Sequence, residues 1–198
     1  MKRHLRIPLF LLISLLNSLA SYASNEMSFH QLGVKTGMSD NYIQAIERDK
    51  YGFMWFATRD GLNRYDGYHF KTYTTLRQGA YNNSVEWVAE DAAGNIWIKT
   101  PVNYCFYDRE MDELDNRTEL LLHKIGIFES PRQLFIDDDK NLWCVADNTL
   151  YYYIFSDETL YKQSLPGSVN IADMACRNKR CYIPVSYTHL TLPTICSV

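Results

Sequence analysis

Clustered carboxylates are the residues of this chain whose types and spacing could do chemistry. Glu47 with Asp49, Glu90 with Asp91, and the run Asp137-Asp138-Asp139 suit carboxylate catalysis or calcium binding. Each group, however, falls at the same point of a repeated segment, shortly before a tryptophan. A turn must recur with every repeat and a catalytic site need not, so these positions read as turns. The Asp137 run also lacks the alternating oxygen ligands and closing Glu of a calcium loop. Five cysteines (Cys105, Cys144, Cys176, Cys181, Cys196) show no paired CxxC spacing for zinc. An oxidising compartment permits a Cys176–Cys181 bridge; the plainer reading is small buried hydrophobes. No catalytic residue, metal ligand or cofactor is expected.

The repeat itself sets the elements. Asn41 to Thr58 aligns with Asn83 to Thr100, so that Asp49, Gly52, Trp55 and Thr58 coincide with Asp91, Gly94, Trp97 and Thr100. A third copy keeps Asp137 and Trp143 at the same spacing and puts Lys140 where the others have Gly. Asn141 is expected to take the left-handed conformation that Lys140 resists. A fourth, faded copy runs from Ile171 to Ile183, with Cys181 in the Trp position. Within the first copy, residues 42–48 alternate as a strand, Asp49 to Gly52 turn, and Phe53 to Thr58 make a second strand. Asp60-Gly61 is a two-residue hairpin signal, Leu62 to Tyr65 a third strand, Asp66-Gly67 a turn, and Tyr68 to Thr74 a fourth strand.

Four antiparallel strands in about 42 residues make one blade of a β-propeller. The repeats cover about 41–75, 83–112, 129–160 and 170–183, giving an all-β, incomplete propeller of three to four blades over residues 24–183. Trp55, Trp97 and Trp143 are expected in the wedges between blades, and Tyr65, Tyr107 and Tyr153, ten residues further on, with them. Phe29 to Val34 reads as a strand closing the ring.

Residues 1–23 read as an export signal. Lys2, Arg3 and Arg6 precede an apolar run, Ile7 to Ala20, and Ser21-Tyr22-Ala23 offers a cleavage site, with an uncleaved anchor as the alternative. The whole chain has 198 residues with 20 basic and 23 acidic ones; without the signal the basic residues fall to 17. A surface that acidic gives nucleic acid no electrostatic footing.

Gly37-Met-Ser-Asp-Asn41, the Asp-x-x-Gly-x-x-Trp-x-x-Thr core and Asp60-Gly-Leu-Asn-Arg-Tyr-Asp-Gly67 resemble the two-component regulator propeller repeats. The resemblance implies the periplasmic sensor region of a hybrid histidine kinase of gut Bacteroidetes. Such a parent has two seven-bladed propellers and a β-sandwich, then a transmembrane helix, kinase core, receiver and DNA-binding domain. It implies an inner-membrane, homodimeric parent that detects oligosaccharides and switches on glycan-utilisation genes by phosphorelay. The kinase machinery is not in this sequence: none of His4, His30, His69, His123 and His189 sits in a phospho-acceptor context. The alternative reading is an extracytoplasmic scaffold that holds a protein partner and senses no small ligand.

Sugar binding asks for an aromatic face beside polar groups. Trp87 is the one Trp off the repeat position, aligned with Ala45 and Gln133, and is a ligand candidate as well as a packing one. Arg59 and Arg64 flank a hairpin tip and could reach anionic sugars.

Residues 184–198 carry no Asp, Glu, Lys or Arg. Val185 to Thr194 reads back in one frame as GTC TCT TAT ACA CAT CTG ACG CTG CCG ACG, which resembles a transposon end with a sequencing adaptor. This tail is therefore taken as non-native, and a His189–Cys196 metal pair is discounted with it. The 161 residues from Ser24 to Pro184 make nearly four blades, against the seven that the resemblance implies. An open arc of this kind is expected to aggregate or stay partly molten when expressed alone.

Overall fold

The computed structural model describes residues 29–75 and 83–165, together with the short strands 175–177, 180–182 and 195–197. Strands β1 (Ile43–Arg48), β2 (Met54–Thr58), β3 (Gly61–Tyr65) and β4 (Phe70–Tyr73) form one antiparallel meander. A second contains β5 (Trp87–Glu90), β6 (Ile96–Lys99), β7 (Tyr104–Asp108) and β8 (Glu113–Asp115). The third contains β9 (Pro131–Ile136), β10 (Leu142–Ala146), β11 (Thr149–Ile154) and β12 (Thr159–Ser164). The first strands of the sheets lie together: β1 touches β5, and Trp87 of β5 stacks on Phe135 of β9. These are blades of an unclosed β-propeller.

The Asp–Trp spacing does two jobs in every blade. Oδ1 of Asp49, Asp91 and Asp137 accepts the backbone N–H four residues on, at 3.0, 2.8 and 2.9 Å. Oδ2 accepts the indole N–H six residues on, at 3.0, 2.8 and 2.9 Å. One carboxylate thus ties the turn and satisfies the polar atom of a ring with at most 1% exposure. Without it the indole N–H would be buried unpaired.

Alternation then assigns each face of a sheet. Trp55 packs with Val88, Ile96, Ile98 and Tyr107 of the second blade, its ring 4.9 Å from that of Tyr107. Trp97 packs with Leu134, Leu142, Cys144 and Tyr153 of the third. In both wedges the Trp points toward the following blade, which contributes its tyrosine. Trp143 packs in a separate cluster with Tyr152, Ile154 and Leu165. Tyr65 departs from its counterparts: it is half-buried, stacks on Phe70, and donates its hydroxyl to Gly67 O.

Several local expectations are corrected. Phe29 to Val34 forms no strand; Phe29 is exposed, and Val34–Thr36 is a short 3-10 turn. Asn41 Oδ1 accepts the Val34 N–H, and the segment beyond covers blade one, with Ser39 N–H donating to Asn63 Oδ1. The β2–β3 hairpin loop is Arg59-Asp60, with Gly61 already paired to Thr58. Gly61 has φ 121°, and a Cβ there would lie 2.8 Å from Tyr73 O. Lys140 itself takes the left-handed conformation, at φ 61°, and Asn141 does not. Asn141 is held by its own bonds: its N–H goes to Asp137, its Nδ2 to Tyr152, and its Oδ1 accepts from Phe155 N–H.

A helix, α1 (Glu119–Leu122), continues into the 3-10 turn His123–Ile125 between blades two and three. Strands β13 (Ala175–Arg177), β14 (Arg180–Tyr182) and β15 (Ile195–Ser197) form a small sheet in that order. Its register sets Cys176 opposite Cys181 and Cys181 opposite Cys196, so part of the tail joins the sheet of the fourth copy. Residues 1–23, which read as an export signal, and His189 with the rest of the tail lie outside the described residues. Among the described residues, no helix is long and apolar enough to cross a membrane.

A cleft on the inner strands as candidate functional site

The three copies share their turns and wedge residues, so chemistry peculiar to one site must come from positions where they differ. The inner strands supply these: Ala45, Trp87 and Gln133 are equivalent, as are Glu47, Ala89 and Phe135. Trp87 and Phe135 are both half-buried, with ring centroids 6.4 Å apart and planes inclined by 23°.

A cleft opens on either side of this pair. Toward the Asp turns it measures about 370 Å³ and is lined by Ala45, Ile46, Glu47, Glu90, Asp138 and Lys140 beside the two rings. Toward the opposite end it measures about 220 Å³, with Glu86, Lys99, Tyr104 and Gln133 around the same rings. Here Lys99 pairs with Glu86 at 3.1 Å, and Tyr104 donates to Gln133 Oε1 at 3.1 Å while accepting the Leu134 N–H. Burial pushes the Tyr104 phenol above its ordinary range, so it stays a neutral donor.

Glu90 joins the blades at the floor of the larger cleft. Its side chain is 2% exposed. It accepts the Lys50 N–H of blade one at 3.0 Å and the Lys140 ammonium of blade three at 2.6 Å, with Arg109 4.0 Å away. Lys140 also reaches Glu47 at 3.5 Å. Partial burial pulls the Lys140 ammonium down, but Glu90 and Glu47 outweigh it and raise its pKa. The backbone closes the same contact, since Ala92 N–H donates to Lys140 O at 2.9 Å.

Of the three ligand candidates, only Trp87 faces this cleft. Arg59, in the β2–β3 loop, lies over the Tyr42 ring at 3.6 Å. Arg64 is paired across the sheet with Trp55, toward the Asp turns, and works between blades: it reaches Tyr107 Oη at 2.6 Å and Asp112 at 3.3 Å. Asp112 also accepts from Tyr73 and Tyr107, each at 2.6 Å, and pairs with Lys71. Burial opposes its ionisation, yet Lys71, the two phenols and Arg64 prevail and hold its carboxyl far below the usual range. Arg64 is thus committed to the blade interface.

Sequence reading missed Phe135, Glu90 and Lys140 as neighbours of Trp87. Lys140 was signalled as the lone departure from Gly; its partner was not. A larger cleft, about 510 Å³, lies beneath α1 and is lined by Asp91, Asn95, Trp97, Lys124, Tyr153 and Phe155. Its most buried polar group, Asp91, already serves the repeat turn, so it offers less to a ligand. Among the described residues no cluster of His, Cys, Asp and Glu suits a metal ion.

Residues 37–60, which span the first Asp turn and Trp55, match the two component regulator propeller family. A stretch of 37 residues is 51% identical to Histidine kinase P4 of Formosa agariphila, covering 19% of this chain and 3% of that protein. Among solved structures, the extracellular domain of a hybrid two component system from B. thetaiotaomicron aligns at 17% identity and a TM-score of 0.41, over 81% of this chain and 30% of that one. Virginiamycin B lyase from Staphylococcus aureus aligns at 12% identity and a TM-score of 0.45, over 82% and 57%. The chain therefore spans 3% of the histidine kinase and 30% and 57% of the two solved structures. Residues 37–60, with their Asp turn, buried Trp55 and four-stranded setting, are a two-component regulator propeller repeat.

Proposed function

We propose that this chain belongs to the extracytoplasmic, ligand-sensing region of a two-component regulator, and that the inner-strand cleft holds an oligosaccharide. The observation that carries the reading is the Trp87–Phe135 pair: two half-buried aromatic rings on the first strands of adjacent blades, with polar groups on both sides. Aromatic faces cover the apolar face of a sugar ring while carboxylates, amides and phenols take its hydroxyls. The full protein is a histidine kinase in the inner membrane, acting as a homodimer, whose phosphorelay answers the sugar by regulating genes for its use. Support for that larger reading comes from the propeller repeat at residues 37–60 and the short stretch shared with a histidine kinase.

A panel of oligosaccharides tested for a melting-temperature shift of the intact receptor ectodomain checks this. A shift with one sugar class supports sensing. No shift with any sugar favours a scaffold that holds a protein partner.

A further inference from the structure

Blade two departs from the repeat along one line. Trp87 is paired across the sheet with Lys99, and Lys99 with Tyr104, so the three form a row over β5, β6 and β7. Side chains paired in this way stand on one face of a sheet, here the face where Trp87 and Tyr104 pack toward blade three. The same row is Ala45, Ala57 and Leu62 in blade one, and Gln133, Val145 and Leu150 in blade three. Ala57, Leu62, Val145 and Leu150 are core residues at most 1% exposed, whereas the Lys99 side chain is 37% exposed. A position that closes the core elsewhere is thus open in blade two. An exposed ion pair such as Lys99 with Glu86 stabilises little, so folding alone does not account for the lysine.

Two clefts adjoin along this row. Lys99 and Tyr104 stand in the walls of both the cleft of about 220 Å³ beside Trp87 and another of about 400 Å³, which Asn116 and Ser130 of the β8–β9 connection and Arg132 also line. The smaller alone falls below the usual size of a small-ligand site, about 300–1,000 Å³; with its neighbour it falls within it. Resting on the oligosaccharide reading above, we infer that the ligand is a chain of several sugar units that starts beside Trp87 and follows the row into the second cleft, with Lys99 reading the units beyond the first. The chemistry suits that course. Lys99 gives one ammonium proton to Glu86 at 3.1 Å and has two more for sugar hydroxyls. Tyr104 has its hydroxyl proton on Gln133 and accepts the Leu134 N–H, so it serves as a wall. Arg132 places one N–H on Asp147 O and brings its other donors to the far end.

Calorimetry on the intact ectodomain with ladders of one to six units from β-glucan, xylan, arabinan and polygalacturonan tests the inference. In a ladder that binds, affinity is expected to rise at least about tenfold from the monosaccharide to the tetrasaccharide. Lys99→Ala, which restores the residue of blade one, should remove most of that gain while shifting the monosaccharide by less than about twofold. A lysine with a merely structural role would leave the length dependence unchanged. A monosaccharide bound as tightly as the tetrasaccharide, or a gain that survives Lys99→Ala, would overturn the inference while leaving sensing intact. Failure of every ladder would count against the sensing reading itself and remove the inference with it.

Discussion

Replacing Lys140 by Gly sets two effects of similar size against each other, and the structure decides between them. Lys140 stands at φ 61° where the other copies have Gly, and relief of that conformation should stabilise by roughly 1–2 kcal/mol. The same change removes the ammonium 2.6 Å from Glu90, whose side chain is 2% exposed. A hydrogen bond to a charged group contributes about 1.5–3 kcal/mol, and orphaning a buried carboxylate costs about 3–5. Two features reduce this: the Lys140 side chain is 40% exposed, and Lys50 N–H still serves Glu90. Lys140→Gly should therefore destabilise by about 1–2 kcal/mol net. In a Glu90→Gln background no carboxylate is stranded, and the same substitution should be neutral or stabilise by about 1 kcal/mol. Urea unfolding of the intact ectodomain followed by tryptophan fluorescence, run as a double-mutant cycle on the four proteins, reads the sign. If Lys140→Gly stabilises in the native background, the ion pair contributes less than the backbone strain and the account of the blade clasp is wrong.

Other outcomes follow from the same geometry. Trp143→Phe should cost more than Trp55→Phe or Trp97→Phe in unfolding experiments. Asp137 Oδ2 would lose its indole donor, whereas Asp49 keeps Arg109 and Asp91 keeps Asn95 Nδ2; the difference should be about 1 kcal/mol. Asp112 is ionised in the folded state at a pH where it would be protonated unfolded. Its stabilising contribution is present above the ordinary carboxylate range and lost as pH falls below about 4. Asp112→Asn should accordingly flatten the acid limb of a stability–pH curve. Burial pushes the Cys105 and Cys144 thiols up to about 12, so both should resist a thiol reagent at pH 8 until urea unfolds the chain.

Much of the blade was legible because its cause is local. Asp49, Gly52 and Trp55 occupy fixed offsets, and the turn they build needs only its own four residues and the ring six places on. Alternation from Ile43 and from Phe53 announced the first two strands for the same reason. Lys140 shows where local reasoning stops: sterics alone favoured Asn141 for the left-handed position, but a carboxylate 50 residues away holds the lysine there. Arg64 read as a hairpin residue able to reach anionic sugars because Asp112, its partner from the next blade, is 48 residues distant. The α1 segment did carry local signals, Thr118 before Glu-Leu-Leu-Leu and Gly126 after it, but the blade template passed over them. The Phe29–Val34 strand failed because the last blade expected to pair with it is not among the described residues. Trp87 stood out as the tryptophan off the repeat; that Phe135 would complete it depended on how two sheets meet.

The claim that the inner strands hold the ligand is tested most directly at Trp87. Calorimetric titration of the intact ectodomain with a sugar from the responding class should show Trp87→Ala weakening binding by at least about tenfold, as loss of one aromatic stack predicts. The melting temperature should fall as well, because the half-buried Trp87 packs against the Trp97 wedge, so affinities are compared at a temperature at which both proteins are folded. Undiminished affinity in Trp87→Ala would place the site elsewhere and contradict the account.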